Sequence, residues 1–426
     1  MPIDTDNLAL LPRPRSLTRA NGAFRLESDR LILLDAPDPQ TIRSSAARVQ
    51  RAFAAGGWTW QIVASKTTPA DLIGLTIRVA PHAVRQPQGY RLTIASGGIT
   101  VVAHDPAGAF YGCCTLAQIV EQAVGVLPCL AIDDWPDFPA RGVMLDITRD
   151  KVPTMETLCA LIEMLAGWKV NQVQLYTEHA FAYRAHPTVW KDASPITGEE
   201  ILELDSFCRD RHIELVPNQN SFGHFHRWLR HEKYKPLAES PQGFTTGWGP
   251  YPFSLCPLDP GSIELLAGLY DELLPHFTSR MLNVGCDETY DLGKGRSAGE
   301  CERLGTGRVY LDFLLKIHRE VTARGHTMMF WGDIIIKYPD LVPSLPKDAV
   351  ALEWGYEATH PFDEHGKRFA SAGVPYYVCP GTSSWNSLAG RTDNALGDLT
   401  NAAENGLKHG AIGYLNTDWG DNGHWQ

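Results

Sequence analysis

Two adjacent carboxylates, Asp287 and Glu288, follow a short apolar run in which Met281, Leu282 and Val284 lead to a break at Gly285. The run predicts a buried strand and places both acids at its end. Acids there lose hydration and repel each other, so such a pair persists where raised pKa values or ligand contacts are useful. The plain alternative is a helix start, whose dipole favours Asp and Glu in the first turn. Other apolar runs also end in residues that can do chemistry: Asp146 and Arg149, Glu178 and His179, Asn218 and His224, Trp331 and Asp333, Trp354, Trp385, and Trp419 with Asp421.

The elements that must position these residues repeat one rhythm beyond Arg141: apolar strand, polar loop, amphipathic helix. Val143 to Ile147, Gln172 to Tyr176, Ile213 to Pro217, Met281 to Gly285, Met328 to Trp331, Val350 to Trp354, Pro375 to Cys379 and Ile412 to Asn416 make eight strand candidates. Between them Leu158, Leu161, Ile162 and Leu165 share one helix face, and Val309, Phe313, Ile317 and Val321 share another. Thr197-Gly198-Glu199-Glu200 reads as a capping box opening a third helix. Eight such units predict an α/β fold of the (β/α)8 TIM-barrel kind, in which catalytic groups stand at the C-terminal ends of several strands. A doubly wound sheet would concentrate chemistry at one switch point, and no glycine-rich phosphate loop follows the first strand. Three strand ends read Trp-Gly, at Trp331, Trp354 and Trp419. One such Trp is as a rule core. Together with carboxylates at one barrel face they read as the aromatic walls of a sugar subsite. The chain stops at Gln426, after the eighth strand, so the final barrel helix is expected to be missing and the chain to be a truncated piece.

Ahead of the barrel, Leu31 to about Leu130 predicts a smaller α/β domain. Leu75 to Val79, Tyr90 to Ile94 and Ile99 to Ala103 alternate as half-buried strands do, the last two joined as a hairpin by Ala95-Ser96-Gly97-Gly98. One polar face implies an antiparallel sheet, its other face covered by helices near Thr41 to Ala55 and Ala107 to Val124. Two prolines and three acids between Asp133 and Pro139 mark a boundary, giving an accessory domain over 1–138 and a catalytic barrel over 139–426.

The 426 residues, 44% hydrophobic and 20% charged, are those of a globular protein, and a net charge of -11 argues against a nucleic-acid surface. The first residues, MPIDTDNLALLPRPR, lack the basic segment and apolar run of a signal peptide, and no run approaches a membrane span. Nine cysteines without CxxC pairs cannot form a closed set of disulfides. They read as reduced thiols, Cys113-Cys114 included, and a cytoplasmic location is expected.

With these residues assembled, the chain resembles family 20 glycoside hydrolases, the β-N-acetylhexosaminidases. The resemblance runs from Leu10 onward and is carried most specifically by Arg141 to Asp146 with Arg149, by Gly285-Cys286-Asp287-Glu288, and by GYRLTIASGGITVVAHDPAGAFYGCCTLAQ in the accessory domain. It implies exo-acting, retaining, substrate-assisted removal of terminal β-linked N-acetylglucosamine or N-acetylgalactosamine. Glu288 would be the general acid/base, and Asp287 would orient the substrate's 2-acetamido group, which attacks in place of a second catalytic carboxylate. Arg149 would hold sugar hydroxyls, Trp331, Trp354 and Trp419 would wall the acetamido pocket, Asp421 would bind a hydroxyl across the ring, and Glu178 and His224 would support the acid. Two departures stand out. The second strand ends Thr177-Glu178-His179 where paired aspartates are common, and Trp385 stands where many members have a tyrosine, leaving Trp385 or Tyr356 to donate to the acetamido oxygen.

The residues themselves agree with divided roles, because neighbours on a strand point to opposite sides and so cannot easily oppose each other across a sugar. His224-Phe225-His226 could form a metal pair beside His179 and Glu178, but barrel metal hydrolases show further ligands at matching strand ends. No metal and no cofactor are expected. Gly293-Lys294-Gly295-Arg296-Ser297 lacks phosphate-loop spacing and reads as an active-site loop. The partners expected are small oligosaccharides or glycosides ending in N-acetylhexosamine, with a homodimer the candidate assembly. The rivals are a sugar-binding barrel without catalysis and an inactive truncated fragment.

Overall fold

The computed structural model describes residues 8–421 and 424, apart from 66, 150 and 248. The first seven residues, read above against a signal peptide, and the terminal Gln426 lie outside the described residues. Contacts divide the chain into two units, Met1–Asp137 with Ala160–Val170 and Asp210–Ile213, and Phe138–Cys159 with Asn171–Arg209 and Glu214–Gln426.

The first unit is built on a seven-stranded sheet of β1 (Ser16–Arg25), β2 (Leu31–Asp35), β3 (Gln61–Val63), β4 (Ile73–Val79), β5 (Tyr90–Ala95), β6 (Gly98–Ala103) and β7 (Val126–Asp134), in the order β1-β7-β5-β6-β4-β2-β3. The hairpin is as expected, with Ala95 opposite Gly98 across the two-residue turn Ser96-Gly97. The sheet is mixed, which corrects the antiparallel expectation: β4 runs parallel to both β2 and β6, and β2 parallel to β3. Alternation reports that one face of a strand is buried. It carries no information on the direction of its neighbour. Helices Arg43–Ala55 and Pro106–Glu121 complete the unit, the second opened by Asp105, whose carboxylate accepts from the Gly108 N–H at 2.8 Å. None of the nine cysteines forms a disulfide.

The second unit is the barrel. Its strands are β8 (Ala140–Asp146), β9 (Gln172–Tyr176) and β10 (Glu214–Val216), then, past a small hairpin of β11 (Phe244–Thr246) and β12 (Gly249–Tyr251), β13 (Met281–Asn283), β14 (Thr327–Trp331), β15 (Val350–Trp354), β16 (Tyr376–Cys379) and β17 (Gly413–Asp418). Eight are parallel in the order β10-β9-β8-β17-β16-β15-β14-β13, and a bridge between Asn218 and Asn283 joins the two ends of the series. Met144, Val216, Met329, Leu352, Tyr377 and Leu415 fill the interior. The polar exceptions satisfy one another: Asn283 donates to Gln174 at 2.9 Å, and Gln174 to Gln172 at 3.2 Å. The capping box forms as its sequence requires, with the Glu200 N–H donating to the Thr197 hydroxyl at 3.2 Å and the Thr197 N–H to the Glu200 carboxylate at 2.8 Å. Among the described residues, no helix is long and apolar enough to cross a membrane.

Candidate active site

β13 stops at Asn283, and the acids follow in a segment with no helix until Ala298, so the helix-start alternative fails. This segment is bent at three of four successive positions. Gly285 has φ 65°, and a Cβ there would lie 1.9 Å from the Asn220 side-chain oxygen. Cys286 at φ 70° and Glu288 at φ 48° then adopt the left-handed conformation without being glycine, a strain that the surroundings must hold. Several bonds hold it. The Trp331 N–H donates to the Gly285 carbonyl at 2.9 Å, the Tyr310 hydroxyl to the Cys286 carbonyl at 2.9 Å, and the Glu288 N–H to Asp333 at 3.3 Å. Gly223 leaves room for the bend, since a Cβ there would stand 2.4 Å from the Asp287 carbonyl oxygen.

The bend overturns one expectation. Asp287 and Glu288 do not diverge: Asp287 Oδ2 lies 3.4 Å and Glu288 Oε2 3.2 Å from the same atom, His224 Nε2. The other nitrogen, Nδ1, lies 3.5 Å from Glu178. Burial by itself would lower the His224 imidazole, but Asp287, Glu288 and Glu178 overcome it and raise it to about 10. Glu288 shows the complement: burial pushes it up, yet hydrogen bonds from His224 and Tyr290 and the charge of Arg149 bring it below the usual carboxylate range. Asp333 has no such cation bonded to it among the described residues, and burial reinforced by Asp287 outweighs the charge of Lys337 and raises it to about 8.

Arg149, carried past the end of β8, is held by Asp146 at 3.0 Å, Glu178 at 3.3 Å and Asp421 at 3.5 Å. Its guanidinium lies 5.1 Å from the Tyr176 ring centre and 5.0 Å from that of Trp419. Facing it is an aromatic wall. Trp354 and Tyr356 stack at 5.1 Å, Trp385 meets Tyr356 edge-on at 5.1 Å, and Trp419 Nε1–H donates to the Tyr356 hydroxyl at 2.7 Å.

Together these groups enclose a cavity of about 420 Å³ lined by Arg149, Asp287, Glu288, Trp354, Tyr356, Trp385, Trp419 and Asp421, all singled out from the sequence. Glu178, His224 and Trp331 stand behind that lining, each 1% exposed or less. Trp331 packs against Trp419 at 6.1 Å and is not itself a wall. The sequence reading missed Gly247, on the turn between β11 and β12, and Asn386, both of which line the cavity. Only loop position gives them away, and no periodic pattern marks it. Asp333 was visible as a strand-end acid but had been given no role. The histidine pair weighed as a metal site and set aside does not come together among the described residues: His224 closes with Asp287 and Glu288 to within 4.8 Å, a set without His226, which stacks on Phe253.

A parallel barrel with paired acids under aromatic walls at its C-terminal mouth is the architecture of a glycoside-cleaving barrel. The chain belongs to glycosyl hydrolase family 20: the family's catalytic-domain model matches residues 138–391, and its domain 2 model matches residues 7–135. Among curated relatives it is 27% identical over 227 residues to a β-hexosaminidase of Akkermansia muciniphila, covering 48% of this chain and 45% of that protein. It is 25% identical over 379 residues to a β-hexosaminidase of Porphyromonas gingivalis, covering 81% of this chain and 47% of that protein. The chain thus spans about half the length of these relatives. In fold it matches the structure of a Flavobacterium johnsoniae chitobiase with a TM-score of 0.78 at 19% identity, over 98% of this chain and 66% of that one.

Proposed function

We propose that the chain is an exo-acting, retaining β-N-acetylhexosaminidase working through the substrate's 2-acetamido group. One observation carries the reading. Asp287 Oδ1 is buried at the cavity lining without a hydrogen-bond partner among the described residues, while its Oδ2 is engaged by His224. A buried, unsatisfied carboxylate oxygen costs about 1–3 kcal/mol, so it is kept for a donor that arrives with the ligand. An acetamido N–H is such a donor. Held there, the amide carbonyl turns toward the anomeric carbon, and the negative charge stabilises the oxazolinium cation that forms.

Glu288 then protonates the leaving oxygen and later activates water. In the free site it is ionised, with the His224 N–H 3.2 Å away. A sugar that displaces water strengthens the burial contribution, already the largest on this group, and draws a proton to it. Tyr356 or Trp385 donates to the acetamido oxygen; the Tyr356 hydroxyl accepts from Trp419 and also meets the Thr417 hydroxyl, which a ligand would have to replace. Trp385 provides the edge beside Tyr356. Arg149 and Asp421 take ring hydroxyls, and Asp421, with its side chain 27% exposed, accepts from a 4-hydroxyl of either configuration. Both gluco and galacto substrates are therefore expected to turn over. The free cysteines support the further proposal of a reducing, cytoplasmic setting.

Aryl β-glycosides of N-acetylglucosamine, N-acetylgalactosamine and glucose test the reading. The two acetamido sugars are expected to be cleaved within about a hundredfold of each other, roughly 2.7 kcal/mol of transition-state binding. Equal turnover of the glucoside would remove the acetamido mechanism, and no turnover of any would favour a binding barrel.

A further inference from the structure

The second histidine–carboxylate cluster of the barrel lies outside this cavity. Val350, Leu352 and Trp354 of β15 face the barrel interior, so the alternate residue Glu353 points outward, where it is 2% exposed. Two imidazoles converge on one of its oxygens: His360 Nε2 at 2.8 Å and His365 Nδ1 at 2.5 Å. His360 precedes the helix Phe362–Ser371, and His365 stands within its first turns. The three ligand atoms lie within 4.8 Å of one another.

The surroundings are shaped for this arrangement. Gly355 admits the His360 ring, since a Cβ there would sit 2.1 Å from the ring's Cγ. Asn401 donates to the His360 carbonyl at 2.8 Å, fixing the backbone from another helix. Tyr376, 1% exposed, has a hydroxyl with no hydrogen-bond partner among the described residues, and after burial the charge of Glu353 is the influence it feels. Two imidazole nitrogens and a carboxylate oxygen are the donor set of a first-row transition ion, above all zinc.

We propose that Glu353, His360 and His365 form a binding site for a zinc-like divalent ion that pins the segment after Trp354 to the helix behind it. This departs from the sequence reading, which expected no metal. On binding, each imidazole presents a bare nitrogen to the ion and carries its proton on the other ring nitrogen, and the two bonds now made to Glu353 open to ligand spacing. Three protein ligands leave the fourth position to water. Three protein ligands and a water are also the set of catalytic zinc sites, but none of these residues lines the cavity, so the ion would hold structure here.

Chelator-treated full-length protein titrated with Zn²⁺, and with Co²⁺ for its visible spectrum, tests this. The wild type and Asp287→Asn are expected to bind one equivalent, with a Co²⁺ spectrum free of thiolate charge transfer and a higher melting temperature on loading. His360→Ala and His365→Ala, each checked for native circular dichroism, should weaken binding by more than the roughly 10–100-fold that losing an outer partner of a ligand costs. Failure of the wild type to bind would overturn the proposal, and so would retention by both histidine variants. Loss of binding in Asp287→Asn would move the ion to the mouth cluster, and a thiolate band would move it to the cysteines. If the histidine variants do not fold, the wild-type stoichiometry, the Co²⁺ spectrum and the Asp287→Asn titration still decide.

Discussion

Among the described residues, two clusters in which three or more histidines and carboxylates meet are built in opposite proportions. At the mouth one imidazole, His224, is shared by Glu178, Asp287 and Glu288, while outside one acid, Glu353, is shared by His360 and His365. The mouth cluster is under tension. Its acids outnumber their cations, two of its residues hold positive φ, and Asp287 Oδ1 and Glu178 Oε2 lack hydrogen-bond partners among the described residues. The outer cluster places its two rings on one buried oxygen in an ordinary strand-to-helix connection. Unspent hydrogen-bonding capacity beside strained backbone marks the place where a ligand is awaited. A carboxylate already saturated by imidazoles serves to hold structure or an ion.

Changes at the mouth should therefore cost catalysis and changes outside should cost stability. The largest effect that does not depend on the leaving group is expected for Asp287→Asn, which should lose about 10²–10³ in kcat/KM, or 2.7–4 kcal/mol, as measured with a series of aryl glycosides. A smaller loss would show that the charge of Asp287 is not what stabilises the cation. Next comes Gly223→Ala. Its Cβ would displace the Asp287 carbonyl, and steady-state kinetics should show about 10²-fold lower kcat, as a 1 Å misplacement costs, with folding retained.

His224 links charge to pH. Because the imidazole lowers Glu288, His224→Asn should raise the pKa of Glu288 and move the limb of the kcat/KM profile assigned to that group to higher pH. The same shifts govern stability. His224 is raised from 6.5 to about 10, so its contribution is complete below about 6.5 and lost as pH rises toward 10. Asp333, raised from 3.8 to about 8, acts in the same sense, binding its proton more tightly when folded and losing that contribution between 3.8 and 8. Denaturant melts should accordingly weaken from pH 7 to pH 10 in the wild type and less so in His224→Asn. An equal decline in both would contradict the assignment. The smallest effect on rate belongs to the outer cluster: Glu353→Gln should leave kcat/KM within about twofold while lowering stability by about 1–3 kcal/mol, the cost of a damaged buried hydrogen-bond set.

The sequence made the barrel legible because each strand is a short apolar run closed by a polar or aromatic residue, and β9 and β15 span the residues expected for them. It also exposed most of the cavity, since strand-end residues share one face whatever the loops do. Three things were hidden for physical reasons. Strand direction in the mixed sheet depends on which neighbour pairs, not on alternation. The convergence of Asp287 and Glu288 rests on positive φ at Cys286 and Glu288, which no propensity favours. Glu353, His360 and His365 are spread over a strand, a connection and a helix, so no single period brings them together.

The central claim is that the two acids divide the work, Glu288 moving the proton and Asp287 holding the amide. The most direct measurement compares Glu288→Gln on an N-acetylhexosamine disaccharide and on the aryl glycoside of an activated phenolate. The account predicts that the disaccharide loses most of its rate, within the 10²–10⁴ span typical of general acids, while the activated glycoside, which needs little protonation, loses far less in its first step. Equal impairment on both substrates would contradict it.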